Sequence, residues 1–175
     1  MKTWVVLLLA AVGGYYGYKH FIQTEESAFG ISKEAPLGSF ETLDQSLTGM
    51  GLAKEGPKAS EHGETHNAYF YRDKEWMAKS SVSQSVMIYV DSSGKMVGVG
   101  AVYTRKEALG SPKVAEFISK MWKEYSQAPL QFASETTGEG LSARTFQTAK
   151  FTKDNVEGKW MKDEGWGEFV QIMLK

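Results

Sequence analysis

Apolar residues fall along this chain in three rhythms, and each predicts a different kind of element. Residues 3–18 form an unbroken uncharged run, with Lys2 before it and Lys19 after it. Such a run predicts a helix in a bilayer, where the backbone satisfies its own hydrogen bonds and each buried methylene gains about 0.8 kcal/mol. Crossing the hydrocarbon takes about 20 residues. Phe21 and Ile22 bring the run to that length when Lys19 and His20 snorkel. Trp4 at one end and Tyr15, Tyr16 and Tyr18 at the other sit where interfacial aromatic belts are found. A secretory signal is the competing reading, with Ala11 and Gly13 as the small residues of a cut site. The terminal tyrosines favour an uncleaved anchor. A short amino terminus stays on the cytoplasmic side, which sends the rest of the chain outward. Gly13 and Gly17, with Ala10 and Gly14, have the small-xxx-small spacing that lets a second helix come close.

The second rhythm is helical. Phe40, Leu43, Leu47 and Met50 recur at helix spacing behind Ser39, a good cap, and Gly49 and Gly51 stop the segment. Val114, Phe117, Ile118, Met121, Trp122 and Tyr125 trace a longer stripe behind Ser111 and Pro112.

The third rhythm predicts strands. These are expected at 67–72, 75–82, 85–90, 95–104, 143–151, 156–162 and 166–174. The run Val86-Met87-Ile88-Tyr89-Val90 is apolar on both faces, as in a strand covered on both sides. Gly98 and Gly100, on one face of the next strand, leave room for a helix to lie close. Residues 23–38 lack periodicity and read as a tether, and 52–65 read as a loop. Trp76-Met77, Val86, Ile88 and Val90 recur at constant offset as Trp160-Met161, Val170, Ile172 and Leu174, a faint internal echo.

The expected organisation is therefore a transmembrane anchor at 1–22, a tether at 23–38 and one extracytoplasmic domain at 39–175. The domain's class is α+β: an antiparallel sheet with helices on one face, in the order helix, strands, helix, strands. Tandem units of this kind resemble small exported binding and inhibitor domains in fold, which by itself carries little about function.

Composition narrows the chemistry. Lys and Arg number 20 against 21 Asp and Glu, so no field draws nucleic acid. Cysteine is absent, which excludes disulfides, thiol catalysis, iron–sulfur clusters and covalent haem. His62 and His66 are four apart with Glu61 and Glu64 beside them, a weak metal-site candidate. Gly63 stands where a zincin places its glutamate, so a solvated loop is the better reading. Ser92 and Lys95 satisfy S-x-x-K only across a turn, and Gly98 to Gly100 opens no helix. No cofactor is expected.

Aromatic residues are the remaining signal. Trp122 belongs to the helical stripe, whereas Trp160 and Trp166 flank a terminal hairpin. They suit core packing, and they are also candidate hot spots for a partner. The expectation is a non-catalytic, single-span accessory subunit of a larger membrane complex. It would contact lipid and other transmembrane subunits, and a photosynthetic or respiratory assembly is a natural host. Its domain would be extracytoplasmic, periplasmic in a bacterium, with Gly13, Gly17, Trp160 and Trp166 as interface candidates. The alternatives are a free-standing exported binding domain for a peptide or small ligand and, more remotely, a metal-dependent hydrolase.

Overall fold

The computed structural model describes residues 27, 29–59, 66–80, 84–103, 111–138, 143–163, 165 and 167–175. They form a single eight-stranded antiparallel sheet in the order β1-β2-β3-β4-β8-β7-β6-β5, with three helices. The elements are α1 (Phe40–Gly49), β1 (Ala53–Ala59), β2 (Asn67–Arg72), α2 (Lys74–Ser80), β3 (Gln84–Val90), β4 (Met96–Tyr103), α3 (Pro112–Ser126), β5 (Ala133–Thr137), β6 (Arg144–Lys153), β7 (Val156–Asp163) and β8 (Gly167–Leu174).

Both stripe helices form for the reasons their sequences suggest. The Ser39 side chain accepts from the Thr42 N–H, and the Ser111 side chain accepts from the Val114 N–H with Pro112 in the first turn. Gln127 ends α3 in the left-handed region, at φ 49°. Leu43 and Leu47 of α1 and the whole α3 stripe are buried in one core with Tyr71, Val86, Ile88, Val99, Ala101, Val170 and Ile172. That core lies between the helices and one face of the sheet. Its α3 end is aromatic: Trp122 meets Phe151 and Trp160 edge-on at 5.0 and 5.5 Å, and Phe132 meets Trp160 at 5.9 Å. Such contacts add to the area they bury.

Several expectations are corrected. The strand expected at 75–82 is instead the helix α2: the Asp73 carboxylate accepts the Trp76 N–H at 3.1 Å, and its carbonyl accepts from Met77 at 2.9 Å. A side-chain cap here outweighs the strand preference of Trp76. Within the expected loop at 52–65 lies β1, which has a single neighbour and so shows no apolar alternation. The short polar strand β5 also gave no periodic signal. Over its described part, the expected tether is packed. Phe29 is 1% exposed, stacked on Tyr125 and edge-on to Phe117, and the Leu37 carbonyl accepts the Tyr125 hydroxyl.

The room left by Gly98 and Gly100 is filled by side chains, not by a helix. A methyl group on Gly98 would stand 2.0 Å from the Met173 sulfur, and one on Gly100 would stand 3.1 Å from the Tyr89 ring. The constant-offset echo does not join equivalent elements, since Trp76 lies on α2 and Trp160 on β7. What repeats is the topology. Each half has a leading helix and four strands, with α2 inserted between β2 and β3 in the first half only. Among the described residues the first strand of each half is an edge, and the fourth strands, β4 and β8, meet at the centre. Among the described residues no helix is long and apolar enough to cross a membrane, and the expected anchor at 1–22 lies outside them.

Candidate interaction surface

Pleating sends alternate residues of every strand to the face opposite α1 and α3. The first half of this second face is apolar, and among the described residues its apolar cluster contains no helical side chain. Ala68, Met87 and Tyr89 are buried at its floor, and Phe70, Val97, Val102 and Met173 are half-buried around them. Tyr89 and Met173 occupy the glycine notches, and the Tyr89 hydroxyl points to the Met87 sulfur at 3.6 Å. Side chains lying flat over glycine cover backbone that would otherwise be wet.

A charged rim borders this patch. The Arg72 guanidinium lies 5.3 Å from the Phe70 ring centre and bonds Glu55 at 2.7 Å. Glu55 also takes Lys58 at 3.2 Å and Lys74 at 3.5 Å. The hydrogen bond from Lys58 and the charge of Arg72 hold the Glu55 carboxyl below its usual range.

The other half of the same face carries Met161 and Phe169, which pair across β7 and β8, and a polar basin beyond them. Lys150, Thr152, Glu157, Lys159, Gln171 and Met173 line a basin of about 250 Å³. Lys150 bonds Glu135 at 2.6 Å, and that bond holds the Glu135 carboxyl low. An apolar patch beside a polar basin can grip a macromolecular surface by burying side chains while pairing charges at its rim.

Several buried polar groups elsewhere are engaged in the frame. Tyr71 donates to Asp44 at 2.6 Å, and Lys54 bonds the same carboxylate at 2.8 Å while lying over the Phe40 and Tyr69 rings. Burial and the Asp44 hydrogen bond push the Tyr71 hydroxyl far up, so it remains a neutral donor. Burial pushes the Asp73 carboxyl up, but hydrogen bonds from Ser111 and the Trp76 N–H outweigh it and hold it low. The Gln84 carbonyl oxygen accepts the Ser111 N–H at 2.7 Å. Gln84 Nε2 and Trp160 Nε1 are buried without a hydrogen-bond partner.

Of the residues singled out from the sequence, Trp160 is 7% exposed and belongs to the aromatic core, opposite Val170 on β8. Gly13, Gly17, His62 and Trp166 lie outside the described residues. His66 is half-buried just before β2, and the described residues contain no group of three His, Cys, Asp or Glu placed to hold a metal. Sequence reasoning missed the apolar patch itself. Its signal was present in the two-faced run of β3 and in Phe70 on β2, but the second face was assigned to a helix. Comparison with family models, curated proteins and solved structures finds no match for this chain.

Proposed function

We propose that this chain is a non-catalytic accessory subunit, held to a membrane by residues 1–22, that binds a protein partner of a larger membrane complex through the open face of its sheet. The observation that carries the reading is the patch of half-buried Phe70, Val97, Val102 and Met173 around buried Met87 and Tyr89, an apolar cluster with no described helical residue in it. A contiguous apolar patch with a charged rim is the usual make-up of a protein-binding surface. The uncharged, aromatic-flanked run at 3–18 supports the anchor, and Gly13 and Gly17 would face a neighbouring helix. On this reading the domain is extracytoplasmic.

The test is purification of the full chain from mild detergent, with native mass measurement. A co-isolating subunit is expected, and Phe70→Lys or Val102→Lys should release it while leaving the melting temperature nearly unchanged. A lone monomer would end the accessory-subunit reading. A free-standing exported domain that binds a peptide or small ligand would then stand, favoured by the basin beside Lys150 and Lys159.

A further inference from the structure

The two edges of the sheet are built differently. An uncovered edge strand offers a row of unpaired N–H and C=O groups, which proteins commonly blunt with proline, lysine or a bulge. At β1 all of these occur: Pro57 lacks an N–H, the register slips between Glu55 and Lys58, and Lys54 and Lys58 carry charge. At β5 none does. Its ladder with β6 is regular from Ala133↔Thr148 to Thr137↔Arg144, and among the described residues β6 is its only neighbour in the sheet. Its one charge, Glu135, is a carboxylate paired with Lys150 at 2.6 Å. The lysines of β1 are paired too, with Asp44 and Glu55, so the contrast between the edges rests on Pro57 and the register slip.

We infer that β5 pairs with β5 of a second copy of this chain, joining two sheets across a two-fold axis at Thr136. In an antiparallel pair related by such an axis, one residue faces itself and the others pair symmetrically about it. An axis at Glu135 would set two carboxylates directly opposite each other, which is unfavourable. With the axis at Thr136, Thr136 faces Thr136, Glu135 faces Thr137 and Ser134 faces Gly138, so no like charges meet. Thr136 Oγ1 already shares a hydrogen bond with Thr145 Oγ1 at 3.0 Å, and its self-pairing would continue that threonine row across the junction. Five residues of edge bury less than the ~1,200 Å² of a stable complex, so the dimer depends on concentration. The inference uses the edge and not the open face, so it stands or falls apart from the function proposed above.

The chain has no cysteine, so a single introduced thiol reports the register. Residues facing each other across an antiparallel pair have Cα atoms about 4.5–5.5 Å apart, within disulfide range. Single variants Ser134→Cys, Glu135→Cys, Thr136→Cys and Lys58→Cys of the full chain would be oxidised mildly in detergent. Thr136→Cys should form covalent dimer at least about tenfold faster than Lys58→Cys, because only a residue on the axis meets its own copy. Thr136→Lys should abolish the concentration-dependent dimer without lowering the melting temperature. Three results would each overturn the inference: equal rates for Thr136→Cys and Lys58→Cys, fastest crosslinking at Glu135→Cys, or a dimer that survives Thr136→Lys.

Discussion

The first half of the sheet is covered by the ten-residue α1, which contributes two buried leucines and a polar tie, Tyr71 to Asp44 to Lys54. The second half is covered by the fifteen-residue α3 and an aromatic cluster of Trp122, Phe132, Phe151 and Trp160. On the face opposite these helices the halves differ in the reverse sense: an apolar cluster on β2, β3 and β4, and a basin lined by charged residues over β6 and β7. Their edges differ as well: β1 carries Pro57 and a register slip, whereas the β5 ladder is regular. Two halves that share a strand order and differ by the inserted α2 thus leave different residues on their second faces and edges. Topology is set by where apolar stripes fall, whereas what each half can bind is set by the residues those stripes leave over.

Removing core side chains gives the largest expected effects and tests whether the halves are one folding unit. Leu47 of α1 and Phe117 of α3 belong to one buried cluster that runs under β2 to β4 and β6 to β8. Leu47→Ala should cost about 2–5 kcal/mol and Phe117→Ala about 3–5 kcal/mol. Both should lower one shared transition, seen at the same denaturant midpoint by tryptophan fluorescence and by far-ultraviolet circular dichroism. Two separate midpoints, each moved by only one substitution, would show that the halves unfold independently.

The glycine notches come next. At Gly100 a methyl group would stand 2.8 Å from the Val170 carbonyl oxygen, a backbone atom fixed by the sheet. Gly100→Ala should therefore cost about 1–3 kcal/mol. The atoms nearest a methyl on Gly158 belong to the Phe151 ring, the first at 2.0 Å. That half-buried ring can turn aside, losing its edge contact with Trp122, so Gly158→Ala should cost less than Gly100→Ala. Equilibrium unfolding of the two variants side by side decides this, and the opposite order would mean that β4 gives way more easily than the Phe151 ring.

The helix caps follow. Ser39→Ala and Ser111→Ala each remove an oxygen that accepts an N–H in the first turn, at about 1 kcal/mol. Ser111 is fully buried and also bonds the Asp73 carboxylate, so its loss leaves a buried acid short of a partner. Ser111→Ala should be the costlier of the two in a urea titration. Equal costs would mean that the Asp73 contact adds nothing.

How much of this was legible in the sequence follows from which signals are local. Both long helices could be placed because cap, stripe and stop lie within their own segments, as Ser111, Pro112 and the Val114 to Tyr125 stripe show. β3, β4, β6, β7 and β8 were legible from apolar content and from turns such as Asp91 to Gly94, where the Asp91 side chain accepts the Ser93 and Lys95 N–H groups. Edge strands were not. β1 and β5 owe their conformation to one neighbour each and carry few buried side chains, so no periodicity records them. Phe29 and Leu37 look like stray apolar residues in a polar stretch until the chain folds back onto Tyr125. The open face was half legible: the run at β3 announced two covered sides, but that Tyr89 and Met173 would supply the cover depends on cross-strand register.

The smallest expected effect concerns acid. Burial pushes the Asp44 carboxyl up, but hydrogen bonds from Lys54 and Tyr71 and the Lys54 charge outweigh it, and its pKa is lowered on folding. A group lowered on folding adds stability above its unfolded value, and that stability is lost as pH falls through the folded one. Asp44→Asn should therefore flatten the acid side of the stability curve and lower stability at neutral pH. Glu135, its counterpart in the other half, is also lowered, through the exposed Lys150 pair. Exposed pairs contribute little and are screened at a Debye length of about 3 Å in ~1 M salt. Glu135→Gln should change the acid limb only slightly, and not at all in high salt, while the Asp44→Asn difference persists there because Tyr71 holds that carboxylate by a short hydrogen bond. Chemical denaturation from neutral pH down to the acid transition, at low and high salt, separates the two. A Glu135→Gln effect as large as that of Asp44→Asn would remove the distinction between a half tied by a buried tyrosine and a half tied by surface charge.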